Sequence, residues 1–194
     1  MITALEKKIH NAVLEKNGVI VKTAADDYLK WLPLVLAGVA DVFGMRTRTS
    51  WKRQVLMVAG TEAIRYLVAD NLKKLTKERR PFPYTGKHSF PSGHTCTAFA
   101  NAELMHMELK DSSPALSYAG YLTATAVAAI RIAKSRHWSK DVLAGAVIGI
   151  LSAKLVYFLF DRVSKEKKPV KQMRRQESTA AEESLQATGF IHSS

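Results

Sequence analysis

Apolar residues run through this chain in long Ala-, Leu- and Val-rich stretches, with Gly and Pro between them and no period-two alternation. That pattern predicts an all-α chain. The first amphipathic stretch covers 3–16, where Leu5, Ile9, Ala12 and Val13 share one face and Lys7, Lys8, Asn11 and Glu15 the other. Asn17 and Gly18 end it. Thr23 followed by Asp26 resembles a capping box, and Asp26 and Asp27 suit the positive end of a second helix running to about Gly44, with a kink expected at Pro33. Further helices are predicted over 53–72, 94–109, 115–133 and 140–160.

Crossing a bilayer takes roughly 20 mostly apolar residues. VLAGAVIGILSAKLVYFLF (142–160) meets that with a single lysine, and PALSYAGYLTATAVAAI nearly does. The runs at 28–45 and 53–72 carry Asp41, Glu62 and Arg65. Even so, the pattern favours an integral membrane helical bundle of about five transmembrane helices, with the N-terminal amphipathic helix (1–22) on the interface. Residues 23–163 form the expected bundle. The basic segment 164–194 buries little and is expected to be disordered. Glu62 and Arg65, three apart, are expected to pair inside the bundle.

Charge narrows the partners. The 194 residues include 29 Lys and Arg against 17 Asp and Glu, a net charge of +12, which points to an anionic partner: nucleic acid, an acidic membrane surface or a phosphorylated substrate. The lone Cys96 excludes an internal disulfide and any CxxC site. It also fails as a phosphatase nucleophile, since that chemistry wants an arginine six residues on and Ala102 stands there. MITALEKKIHNAVLEKNG lacks the unbroken apolar core of a secretory signal, so no cleaved leader is expected.

Three clusters carry candidate chemistry: KKLTKERRPFP, PSGH at 91–94, and RIAKSRHWSKD. The helix order places all three on one side of an up-down bundle. Lys73, Arg80 and Arg131 offer cationic donors, and the arginine fork matches phosphate oxygens. Ser92 and Gly93 open a helix, where unpaired N–H groups favour an anion. His137 and Asp141 lie one helical turn apart, a spacing that lets the carboxylate hold one imidazole nitrogen and aim the other. His137 is thus the candidate nucleophile and His94 the candidate acid.

Lys73-x6-Arg80-Pro81, then Pro91-Ser92-Gly93-His94, then Arg131-x5-His137-x3-Asp141 resembles the type 2 phosphatidic acid phosphatase superfamily in order and in internal spacing. The resemblance implies a membrane phosphatase acting on a lipid phosphate monoester or pyrophosphate. It implies a phosphohistidine on His137, a leaving group protonated by His94, and phosphate held by Lys73, Arg80, Ser92, Gly93 and Arg131. It implies no metal, no other cofactor and no nucleic-acid partner. Two positions depart from the usual pattern: Ile130 stands where a serine is common, and HWSKD replaces an aromatic-Pro-Ser-Asp sequence. The related vanadium haloperoxidases use the same cradle for vanadate, and a non-catalytic basic binding protein is the other alternative. Lys74, Lys77, Arg79, Lys134 and Arg136 read as surface charges, and His10, His88, His106 and His192 as bystanders. The positive-inside tendency puts RTRTSWKR and the tail in the cytoplasm. The catalytic loops are then expected on the periplasmic or outer face of a bacterial inner membrane.

Overall fold

A computed structural model describes residues 23–81, 84 and 86–163. The predicted helix at 3–16 and the segment from 164 lie outside the described residues. The chain divides into two compact units, Met1–Val156 and Tyr157–Ser194. The described part of the second is the end of the last helix.

Five helices are α1 Ala25–Leu29, α2 Leu32–Val42, α3 Trp51–Thr76, α4 Gly93–Leu109 and α5 Pro114–Ala133. The sixth, α6, spans Ser139–Val163. No strand is present among the described residues; a single antiparallel bridge joins Arg79 to Lys87. The helix expected from Thr23 to Gly44 is two helices. Pro33 has no N–H to offer the carbonyl of Leu29, so α1 ends there and α2 starts afresh with Pro33 in its first turn. The expected capping box is absent too. Thr23 Oγ1 accepts from Ala25 N at 3.1 Å, but the Asp26 side chain turns inward and its backbone partner role goes unfilled.

The central element is α4, buried along almost its whole length. Small residues let its neighbours approach. Ala98 and Ala102 pack with Ala124 and Val127 of α5, while Met105 and Leu109 meet Ala37 and Ala40 of α2. The approach of α6 is closer still. A Cβ at Gly145 would lie 2.7 Å from Ser92 O, and one at Gly149 would lie 2.3 Å from Cys96 O and 2.8 Å from Ala100 N. Any side chain at either position would force the helices apart. The outward side of α6 carries Leu143, Val147, Leu151 and Leu155, an exposed apolar stripe at four-residue spacing.

Among the described residues two helices, α5 and α6, are long and apolar enough to cross a bilayer. The others expected to span fall short for separate reasons. α2 has 11 residues, α3 has 26 but includes Glu62, Arg65, Asp70, Lys73 and Lys74, and α4 has 17 and is enclosed by protein. Glu62 and Arg65 do pair, Nε to Oε2 at 2.8 Å.

The two ends of α4 hold different things. Its N-terminus opens at Gly93. Near its C-terminus the buried Glu108 accepts from Thr49 N at 2.9 Å and from Thr49 Oγ1 at 2.7 Å, tying down the RTRTSW loop. Fifteen residues at 1.5 Å per residue put that loop about 22 Å from the PSGH turn.

Candidate active site

The three clusters do converge at the N-terminal end of α4. α3 runs four residues past its predicted end, so Lys73 sits in its last turn rather than in a loop, and Lys77 closes the helix in a left-handed conformation (φ 46°). From there the chain folds back on itself: Arg80 N donates to Gly86 O at 3.1 Å and Ser89 N to Glu78 O at 2.9 Å. Trp138 Nε1 donates to Arg79 O at 3.0 Å, and Lys140 pairs with Glu78, fastening this loop to the start of α6. His88, with φ 80°, places Nδ1 3.0 Å from the Lys73 carbonyl at the end of α3.

Ser92 is the N-cap residue of α4, but its side chain caps no backbone N–H; the hydroxyl meets Thr95 Oγ1 at 2.9 Å instead. The first N–H groups of α4 therefore keep their capacity for an anion. Gly93 answers a local demand, because a Cβ there would lie 3.1 Å from the Lys73 ammonium. Its missing side chain is what lets the lysine reach the helix start. Ser92 N donates to Asp141 O at 2.9 Å, which locks this turn to α6.

His137 is buried in the turn between α5 and α6. Its Nδ1 donates to the Ser89 carbonyl at 2.8 Å, and its Nε2 lies 3.3 Å from Arg131 NH2. The spacing argument had Asp141 holding the imidazole. The carboxylate is close, Oδ2 being 3.8 Å from Nδ1, but that oxygen accepts from Ser89 Oγ at 2.5 Å and from Trp138 N at 3.0 Å. With Nδ1 committed as donor, Nε2 carries the lone pair. Burial pushes the His137 pKa below its ordinary value; Asp141 and the Ser89 carbonyl oppose this, while the Arg131 and Arg80 charges add to it. Burial and the Arg131 and Arg136 charges likewise lower that of Arg80.

Two carboxylates of α1 complete the arrangement. Asp26 is fully buried and binds Arg131 NH1 at 2.6 Å and Lys134 Nζ at 2.8 Å; Lys134 also donates to Thr23 O at 2.5 Å. Lys134 is thus not the surface charge expected of it. Burial pushes the Asp26 carboxyl up, but hydrogen bonds and charge from Lys134 and Arg131 overturn that and bring it to about 2. The neighbouring Asp27 side chain reaches a different partner: its Oδ1 lies 2.6 Å from His94 Nε2, with Lys30 Nζ 3.4 Å from the same nitrogen. Asp26, Asp27 and His94 bring ligand-type atoms within 4.8 Å of one another. A divalent cation there would have to displace Arg131 and Lys134 from Asp26. The set fits an ion-paired cluster better than a metal centre.

Comparison with known proteins places the chain in a family. The family model of the PAP2 superfamily matches residues 54–165, more than half of the chain. The chain belongs to the PAP2 superfamily. It is 36% identical over 145 residues to a Lipid A 1-phosphatase of Porphyromonas gingivalis, an alignment covering 74% of this chain and 32% of that protein. The chain therefore spans about a third of that relative's length. The crystal structure of Aquifex aeolicus LpxE shares the fold, with a TM-score of 0.56 at 21% identity over 80% of this chain and 93% of that one. A transmembrane PAP2-type phosphatidylglycerolphosphate phosphatase from Bacillus subtilis aligns with a TM-score of 0.47 at 20% identity, over 84% and 87%.

All eight predicted site residues lie within the PAP2 match, whereas Asp26, Asp27 and Lys30 lie before it. Sequence reasoning spent both aspartates on a helix cap. The only signal for their role was a pair of adjacent carboxylates in a strongly basic chain, and that does not name a partner 105 residues away. Gly145 and Gly149 were missed as well, though the GxxxG spacing in an apolar run was there to be read.

Proposed function

We propose that this chain is a membrane phosphatase that removes a phosphate group from a lipid through a phosphohistidine on His137. The observation that carries the reading is the buried His137 with Nδ1 donating to Ser89 O and Nε2 beside the Arg131 guanidinium. Nε2 attacks phosphorus, and the bond from phosphorus to the lipid oxygen breaks. His94 protonates that oxygen, then takes a proton from the water that cleaves the N–P bond and releases phosphate. Lys73, Arg80, Arg131, the Ser92 hydroxyl and the open N–H groups from Gly93 onward balance charge on the transferring group. Because those cations already do that work, added EDTA is expected to leave turnover intact.

The exposed stripe on α6 and the two spanning-length helices support a multi-pass membrane location. On our reading the site end of the bundle faces the periplasm or exterior of a bacterial inner membrane, and the Glu108-anchored loop faces the cytoplasm. The substrate panel should begin with lipid A, since a relative carries that name, and include phosphatidate, phosphatidylglycerol phosphate and undecaprenyl pyrophosphate. Purified protein in detergent with EDTA should release inorganic phosphate from at least one of them. His137→Ala should abolish that release; release that persists in the variant would sink the assignment.

A further inference from the structure

We infer that Ser89 is the positioning residue of the His137 imidazole, acting through both its carbonyl and its hydroxyl, and that Asp141 serves mainly as the anchor of Ser89. The role given to His137 rests on the proposed phosphatase reading; the hydrogen-bond arrangement does not. Ser89, His137 and Asp141 are all buried, so water does not compete for their bonds. The Ser89 carbonyl receives Nδ1–H at 2.8 Å, while its hydroxyl donates to Asp141 Oδ2 at 2.5 Å. Both donors reaching the carboxylate, Ser89 Oγ and Trp138 N, fall on that one oxygen, and Oδ1 is buried without a hydrogen-bond partner among the described residues. The carboxylate is thereby held at 3.8 Å from Nδ1, outside hydrogen-bond range. Ser89 is itself fixed from behind, its N–H donating to Glu78 O at 2.9 Å.

The charged groups facing His137 are Asp141 from α6, Arg131 from α5 and Arg80 from the loop after α3. Removing the Ser89 hydroxyl leaves all three in place but frees the Asp141 carboxylate to turn toward Nδ1. A direct contact with a carboxylate favours the imidazolium. Ser89→Ala is therefore expected to raise the His137 pKa, whereas a merely structural serine would alter stability and leave that titration unmoved.

The test is a pH titration of His137 by NMR in detergent-solubilised full chain carrying 15N-labelled histidine, with His137→Ala used to assign the signal. In the wild type the neutral ring should carry its proton on Nδ1. Ser89→Ala should shift the titration to higher pH and lower kcat by ~10- to 100-fold, the scale of a small misplacement of a reacting group. Asp141→Asn, whose side-chain carbonyl can still accept from Ser89, should retain more activity than Asp141→Ala and titrate at lower pH than the wild type. An unmoved His137 titration in a folded Ser89→Ala protein overturns the inference, whatever happens to kcat. If Ser89→Ala does not fold, Asp141→Asn and Asp141→Ala decide: equal loss in both overturns it. Because the titration needs no substrate, a wild type that releases no phosphate would defeat the phosphatase reading alone.

Discussion

At His137 one nitrogen is left for chemistry, and its neighbours decide when it is available. Burial and the charges of Arg131 and Arg80 hold the group below the ordinary histidine value, so the neutral ring persists into mildly acidic solution. The acid limb of kcat/KM reports the free enzyme, and a nucleophile must be unprotonated there. Activity should therefore fall only as pH drops through a value below 6.5; a limb above 6.5 would contradict the assignment. Asp26 makes a second case at this scale. It is the buried counter-ion of both Arg131 and Lys134, and its charge persists throughout the useful pH range. Asp26→Asn leaves the buried Arg131 and the half-buried Lys134 uncompensated, and removing one partner of a buried ion pair typically costs about 3–5 kcal/mol. It should lower the melting temperature and weaken inhibition by vanadate, whose oxygens Arg131 would otherwise meet in a fixed orientation. A melting point and a vanadate affinity equal to the wild type would refute that role.

Among the elements, α6 has two jobs, and they sit on opposite sides of it. Outward it shows Leu143, Val147, Leu151 and Leu155, while inward Gly145 and Gly149 admit the backbone of α4. That close approach brings Asp141 O within 2.9 Å of Ser92 N and so couples the PSGH turn to the His137 turn. Gly149→Leu should be felt at once, because the obstacle is backbone rather than a movable side chain. Overpacking of this sort costs about 1–3 kcal/mol or more. Thermal unfolding should show the loss, and catalysis should fall with it. Leu151→Ala, on the exposed side, should barely change the unfolding temperature in detergent. Equal sensitivity at the two positions would remove the argument from close packing.

Across the described part of the molecule, α5 and α6 are the helices that meet membrane length, and the motif residues collect at one end of α4 about 22 Å from the loop tied to Glu108. If that axis lies across a bilayer, a single cysteine introduced at exposed Arg46 and another at exposed Lys87, in a Cys96→Ser background, should label from opposite sides of sealed vesicles. Labelling of both from one side would refute the orientation.

What was legible in advance follows from the range of the interactions involved. Helix positions depend on local periodicity, and 94–109 and 115–133 matched α4 and α5 to within a residue. The motif residues were legible because fixed spacings carry their chemistry: Lys73, Arg80, Ser92, Gly93, His94, Arg131, His137 and Asp141. Pro33 announced a kink in one helix, and only the backbone showed a full break between α1 and α2. The partners of these residues were another matter. Asp26 reaches Arg131 across 105 positions, Asp27 reaches His94 across 67, and His137 reaches the Ser89 carbonyl across 48. A carboxylate near a helix start looks the same in sequence whether it caps that helix or crosses to another. By itself, then, the sequence determined where the motif residues stand along the chain and near which helix ends they lie. Only the tertiary structure decided what holds each group in place, because burial and packing choose among the partners that local spacing leaves open.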